Sequence, residues 1–230
     1  MSPTNALSPL AWLMLVLSFT TGLVDAVSVL GLGKVFTANM TGNIVFLGFA
    51  IAGAPGFAVA PYLAALASFL LGALLAGRLG VAHRGKPLRR WLLRSALIEA
   101  ALLWIAAALA LDYDVASLSP APRLFMIIAL TGIAMGYRNG TVRQLKVPDL
   151  TTTVLTLTLT GLAADSHFAR GTNPNWGRRM AAVGVLFLGA LAGGTLVLQF
   201  GLALPLAVTG VVILAATIGC SAHPEFNKVP

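Results

Sequence analysis

The feature that most constrains the fold is a series of eight apolar stretches, each near the length of a membrane-spanning helix. They cover about residues 9–32, 36–54, 58–80, 91–111, 122–143, 150–164, 180–199 and 203–220. A helix that crosses a bilayer needs roughly 20 mainly apolar residues. Because these stretches use nearly the whole chain, we expect an all-α polytopic membrane protein with a single membrane domain over residues 1–230.

Composition and charge agree with this interpretation. The chain is 58% hydrophobic and only 10% charged, whereas soluble domains carry roughly 25% charged residues. The net charge of +8 would suggest nucleic acid as the partner of a soluble protein. Here the basic residues cluster beside predicted membrane ends, above all in residues 83–94, where they orient a membrane protein. We therefore expect a lipid bilayer as partner and no nucleic acid.

Two of the eight stretches are weak candidates for crossing. Residues 36–54 begin with a polar run, and residues 150–164 would reach only about 22 Å as a helix, against a hydrocarbon core of about 30 Å. With eight crossings, nine basic residues lie inside and five outside, but the basic loop 165–179 fits this orientation badly. We predict weak or broken helices at 36–54 and 150–164, and six to eight crossings.

A repeated motif divides the chain into two halves, about 9–111 and 122–220. Residues 21–48 and 131–161 both begin with Thr-Gly, turn polar and run into a threonine-containing segment. Aligning Asp25-Ala26 with Asn139-Gly140 makes the halves parallel if all eight stretches cross, and inverted if one crossing between the copies is lost. A polar motif that recurs at membrane depth predicts a binding site between the halves.

Asp25 is the strongest single candidate for function. A carboxylate inside a membrane span is unfavourable unless it is paired, protonated or in contact with water. Asp25 is therefore either a proton or cation site, or a buried acid bonded to threonines or to an arginine of the other half. Arg138 either pairs with Asp25 or extends to the headgroups. For Glu99 we expect a basic partner or water.

The remaining candidate residues carry amides and hydroxyls. Asn39, Thr41 and Asn43 either line a site in a broken helix or serve as a helix cap and interhelical bonds. Thr153, Thr156 and Thr160 share one helical face, which we expect to point into the protein. We find no Walker loop, dinucleotide fingerprint, zinc pattern or nucleophile elbow, and therefore expect no cofactor, no metal and no enzyme activity.

These motifs carry a family resemblance. Asp25-Ala26, residues 39–43 and Thr151-Thr152-Thr153, within residues 21–48 and 136–165, resemble the YoaK family of bacterial membrane proteins, a domain of unknown function. The second copy departs from the family pattern, with Arg138-Asn139-Gly140 where Gln-Asn-Ala is expected. The resemblance covers nearly the whole chain and implies a multi-pass protein of the bacterial cytoplasmic (inner) membrane, without implying a substrate.

We predict a small secondary transporter or permease with an unknown small-molecule ligand and possible coupling to protons. A membrane scaffold or binding protein is the second reading, an intramembrane enzyme is the third, and assembly into a homo-oligomer stays open. The predicted substrate site lies between the halves and contains Asp25, Asn39, Thr41, Asn43, Arg138, Asn139, Thr153 and Thr156.

Overall fold

The computed structural model describes residues 8–83, 85–145 and 155–227. These residues form eight α-helices and no named β-strand. The helices are α1 (Pro9–Gly31), α2 (Met40–Ile51), α3 (Val59–Ala82), α4 (Leu88–Leu109), α5 (Ala121–Leu145), α6 (Leu155–Ala164), α7 (Trp176–Phe200) and α8 (Ala203–Ser221). Among them α1, α3, α4, α7 and α8 are long and apolar enough to span a membrane. The prediction of an all-α polytopic membrane protein is confirmed.

The two weak segments are short helices, as predicted. The helix α2 has 12 residues, and α6 has 10 within the described part of the chain. These correspond to lengths of about 18 Å and 15 Å, well below the hydrocarbon thickness. The sixth long helix, α5, has 25 residues, but it carries Arg123, Arg138 and Arg143. These charges make α5 less apolar than the other long helices.

A non-helical link, residues 32–39, separates α1 from α2. The chain turns directly after α1, where Gly33 and Lys34 adopt positive φ angles of 77° and 62°, a conformation that is unfavourable for a residue with a side chain. Beyond the link, Phe46 of α2 packs against Phe36, Phe57 and Tyr62, with ring centroids 6.0, 5.3 and 6.0 Å away. This aromatic cluster fixes α2 against the link and the start of α3.

The contacts between helices give their relative directions. Tyr113, which precedes α5, donates a hydrogen bond from its hydroxyl to the carbonyl oxygen of Gly31 at the end of α1, at 3.2 Å. Near the other end of α5, Arg138 donates to the carbonyl oxygen of Leu17 at 3.0 Å. The start of α5 therefore lies beside the end of α1, and these two helices run antiparallel.

Two other helix pairs run parallel and pack closely through glycines. A Cβ atom added at Gly189 of α7 would collide with the carbonyl oxygen of Phe19, and one added at Gly193 would lie 2.9 Å from Cβ of Ala26. The helices α1 and α7 therefore run parallel. The helices α3 and α5 also run parallel, because Gly132 contacts Ser68 and Gly140, two turns later, contacts Ala76. The helix α8 packs against α4 and α1.

Candidate functional site

Asp25 lies on α1 and faces the link. Its Oδ1 atom is buried and has no hydrogen-bond partner among the described residues, and the backbone N–H of Ala38 lies within hydrogen-bonding reach of the carboxylate. The hydroxyl of Thr37, beside Ala38, is also buried without a partner. A buried polar atom without a partner is unfavourable and rare. The first break in the helical chain therefore holds a carboxylate whose bonding capacity is not filled.

Arg138 pairs with Glu99 and not with Asp25. Its side chain is buried, and Nε donates to Glu99 Oε1 at 2.5 Å, while Nη2 contacts the same oxygen. Nη1 donates to the carbonyl oxygen of Leu17 and to Oγ1 of Thr21, both at 3.0 Å. The predicted Asp25–Arg138 ion pair is not formed, because Arg138 meets α1 at Thr21, one turn before Asp25.

The alternative prediction for Arg138, extension to the headgroups, is also wrong. Only 2% of the residue is exposed, so its guanidinium lies in the protein interior. Arg143, one turn nearer the end of α5, is exposed. The expectation that Glu99 has a basic partner is confirmed by the ion pair with Arg138.

A small cavity lies beside this ion pair. Its volume is about 20 Å³, enough for one water molecule. The polar residues that line it are Ser95, Glu99, Tyr137, Arg138, Thr141 and Thr217. The hydroxyls of Ser95 and Tyr137 are 3.2 Å apart and hydrogen-bonded, whereas Oγ1 of Thr141 is buried and has no partner in the described structure.

Asn43 is fully buried, and its amide is occupied by the link. Its Oδ1 accepts from the backbone N–H of Phe36 at 2.9 Å, and its Nδ2 donates to the carbonyl oxygen of Phe36 at 2.5 Å. Both bonds shape the link and leave the amide little capacity for a ligand. Asn39 and Thr41 are exposed, and Asn39 precedes α2 without a capping bond from its side chain.

The candidate residues of the second half that the structure describes do not bond to Asp25. Asn139 donates from Nδ2 to the carbonyl oxygen of Met135 on its own helix, at 2.8 Å. Thr156 and Thr160 are exposed on α6, so the expectation that their helical face points into the protein is wrong. Thr153 lies outside the described residues. The seven predicted residues that the structure describes are therefore not gathered in one pocket.

Three residues of these sites, Glu99, Thr37 and Thr141, are not among the predicted site residues. The predicted span 91–111 places Glu99 about two turns from its start, but α4 begins at Leu88, so Glu99 lies at the middle of that helix. Thr37 and Thr141 differ from the other threonines of the described chain only in that their hydroxyls are buried without a hydrogen-bond partner, which the sequence does not reveal. The described residues contain no group of three or more metal-ligating side chains of the His, Cys, Asp or Glu type.

The loop between α4 and α5 closes the same end of the protein as the link. Burial, with a smaller contribution from the Asp114 charge, raises the pKa of Tyr113 to about 12. The hydroxyl of Tyr113 is therefore protonated at neutral pH and can donate to Gly31. Hydrogen bonds from Ser117 and Ala116 lower the pKa of the exposed Asp114.

Comparison with known proteins identifies the family. A sequence model of a family described as "Protein of unknown function (DUF1275)" matches residues 13–219. The chain belongs to the DUF1275 family. This DUF1275 chain is 36% identical over 154 residues to the UPF0700 transmembrane protein YoaK of Bacillus subtilis (strain 168). The aligned part is 66% of this chain and 65% of YoaK, slightly less than two thirds of that relative. No solved structure matches the chain.

Proposed function

We propose that this protein is a small secondary transporter of the bacterial inner membrane that crosses the bilayer six times. The end of α1 and the start of α3 belong to the same side, because Lys34 after α1 lies 5.1 Å from the ring centroid of Phe57 before α3. The helix α2 thus enters and leaves on one side. The parallel directions of α1 and α7 support the same arrangement for α6, since α5 runs opposite to α1.

The basic residues support six crossings. Among the described lysines and arginines, nine fall at the end where α1 begins, Lys34 and Arg123 fall at the other end, and Arg138 is buried between them. The nine are Arg78, Lys86, Arg89, Arg90, Arg94, Arg143, Arg170, Arg178 and Arg179. Positive charge accumulates on the cytoplasmic side. The loop 165–179, which fits an eight-crossing orientation badly, becomes cytoplasmic when α6 does not cross.

Equivalent contacts support two inverted halves. The alignment of Asp25 with Asn139 makes Phe19 of α1 equivalent to Ile133 of α5. Phe19 meets Gly189 of α7 through its carbonyl oxygen, and Ile133 meets Gly72 of α3 in the same way. Two further contacts repeat similarly: Gly22 with Leu186 and Gly136 with Phe69, and Ala26 with Gly193 and Gly140 with Ala76. Inverted repeats with broken helices are an architecture of secondary transporters.

The observation that carries the proposal is the Asp25 carboxylate at the first break, whose buried Oδ1 has no hydrogen-bond partner among the described residues. An ionisable group at membrane depth marks an ion or substrate path. Asp25 binds a proton, or balances a cationic group, when the break is open to water on the outer side. Its counterpart Asn139 cannot ionise, so the two halves do not bind the coupling ion equally. We also propose that the protein is not an enzyme, because none of its motifs supplies a nucleophile with a base.

Transport by Asp25→Asn tests the proposal. Substrates are first sought by growth of a deletion strain on many metabolites and toxic compounds, and by ligand-induced thermal shifts of the purified protein. In proteoliposomes with a proton gradient, Asp25→Asn should abolish gradient-driven uptake, while exchange without a gradient is spared if substrate still binds. The matched control is Asp112→Asn, which alters an exposed carboxylate in a surface ion pair. Unchanged coupling in Asp25→Asn would refute the role of Asp25.

A scaffold without transport is the second candidate function. The observation that favours it is the pairing of two candidate polar groups, Asn43 with Phe36 and Arg138 with Glu99. In a scaffold, these bonds would serve only to hold helices together. Absence of uptake for every compound that stabilises the protein would favour this reading.

A further inference from the structure

Arg138 lies between two carboxylates and bonds only one of them. Glu99 holds Nε and Nη2, and Nη1 reaches Thr21 on α1. Thr21 and Asp25 are four residues apart in a helix, so their side chains lie one above the other on the same face. Arg138 is close enough for its charge to act on Asp25, whose Oδ1 lacks a partner. A movement of about one helical turn along α1, roughly 5.4 Å, would bring the guanidinium from Glu99 to Asp25.

The cavity beside Glu99 has room for a water molecule that can carry a proton to its carboxylate. Its volume suits one water molecule, and Oγ1 of Thr141 lines it without a hydrogen-bond partner. A buried water requires two to four polar neighbours, which Thr141, Glu99 and the hydroxyls of Ser95 and Tyr137 provide. The cavity lies toward the start of α1 and the end of α5, the side with most basic residues.

The surroundings of Glu99 contain few other groups that could change charge. From α5 it faces Arg138 and Tyr137, whereas the cavity residues of α1 and α8 are apolar or carry a hydroxyl. Arginine stays protonated in proteins, and a tyrosine hydroxyl stays neutral in the physiological range. Among the residues that line the cavity, binding of a proton therefore changes the charge of Glu99 and of no other.

We propose that this cavity is a second proton-binding site, in which Glu99 takes up a proton through a water held by Thr141 and releases Arg138 to Asp25. The proton comes from cytoplasmic water and forms the O–H bond of the Glu99 carboxylic acid, while Arg138 keeps its own protons. The inference rests on the proposed function and deepens it, because it couples the two sides of the membrane through one arginine.

Infrared difference spectroscopy of the full chain in lipid vesicles tests this site. The spectra compare mildly acidic with mildly alkaline buffer, and the probe is the proton alone. The component from Glu99 is the carbonyl band of a protonated carboxylic acid that disappears in Glu99→Gln. We expect this component in the wild-type protein. We also expect it to shrink when the same comparison is made in an Asp25→Asn background, where Arg138 has no second carboxylate.

Two further variants keep the test decisive if Glu99→Gln does not fold. Glu99→Asp keeps a carboxyl group and should shift the band without removing it. Thr141→Val should shift the band because the water loses its anchor, whereas Thr209→Val, whose hydroxyl bonds Pro205, should not. A pH difference spectrum that is identical in the wild-type protein, Glu99→Asp and Thr141→Val would overturn the proton site.

An unchanged Glu99 component in the Asp25→Asn background would overturn the transfer of Arg138. The measurement requires no substrate. A failure of the uptake assay therefore refutes the proposed transport without altering the spectrum, and the two failures can be distinguished.

Discussion

Replacing both members of the Arg138–Glu99 ion pair should damage the protein less than replacing one. Arg138→Met leaves the Glu99 carboxylate buried without its counter-ion, which destabilises proteins by about 3–5 kcal/mol. The acceptors on α1 add little to this loss, because Thr21 Oγ1 donates to the carbonyl oxygen of Leu17 at 2.8 Å and both atoms remain bonded. We therefore expect a loss of about 3–5 kcal/mol for Arg138→Met.

The double variant gives the coupling between the two charges. Since two apolar side chains of similar volume can replace a buried ion pair with little loss, Arg138→Met with Glu99→Leu should unfold within about 2 kcal/mol of the wild-type protein. The loss in the free energy of unfolding for Glu99→Leu alone should lie between the losses of Arg138→Met and of the double variant, because Asp25 remains available to Arg138. Denaturant titration in mixed micelles, followed by circular dichroism, measures the four free energies of unfolding.

A control variant, and a comparison of the double variant with the summed stability losses of the two single variants, test this prediction. Arg143→Met removes an exposed charge of the same helix and should change the stability by less than about 0.5 kcal/mol. If the double variant loses as much as the two single variants together, the two side chains do not act as a pair. The assigned ion pair would then be wrong.

Three other substitutions test the packing and the link. Gly189→Ala should lose about 1–3 kcal/mol in thermal unfolding because its methyl group collides with the backbone of α1, whereas Gly184→Ala, which meets no atom within 4 Å, should not; equal melting temperatures would contradict this. Asn43→Leu should lose about 2 kcal/mol and increase proteolysis of the link, since Phe36 loses both bonds; a link as resistant as in the wild-type protein would argue against that role. Tyr113→Phe should lose about 1 kcal/mol through its bond to Gly31, and no change in unfolding would exclude a stabilising bond.

The helices were largely predictable because length and apolarity decide what can lie in a membrane. Each of the eight predicted stretches overlaps one helix, and the sequence indicates the two short segments through the polar run 36–43 and the short apolar run 150–164. The number of crossings was not predictable from one stretch at a time. The six crossings that we propose rest on which helix ends meet, as in the bond between Tyr113 and Gly31.

The candidate site was predictable only in part. Asp25 and Arg138 are unusual in apolar runs, so composition alone selects them. Their partners depend on depth along two helices, and an error of three residues at the start of α4 hid the match between Glu99 and Arg138. Asn43 has the chemistry of a ligand residue, yet its amide bonds the backbone of Phe36. A preference for backbone bonds cannot be read from the residue type.

Six crossings with inverted halves are tested most directly by labelling single cysteines in intact cells. Cys220, the only cysteine, is first replaced by alanine, and a membrane-impermeant thiol reagent is then applied to Lys34→Cys and Phe168→Cys. Ala116→Cys and Lys86→Cys serve as the outer and inner controls. We predict that Lys34→Cys is labelled like the outer control and that Phe168→Cys is protected until the cells are opened. Labelling of Phe168→Cys with protection of Lys34→Cys would indicate eight crossings and would contradict the inverted arrangement.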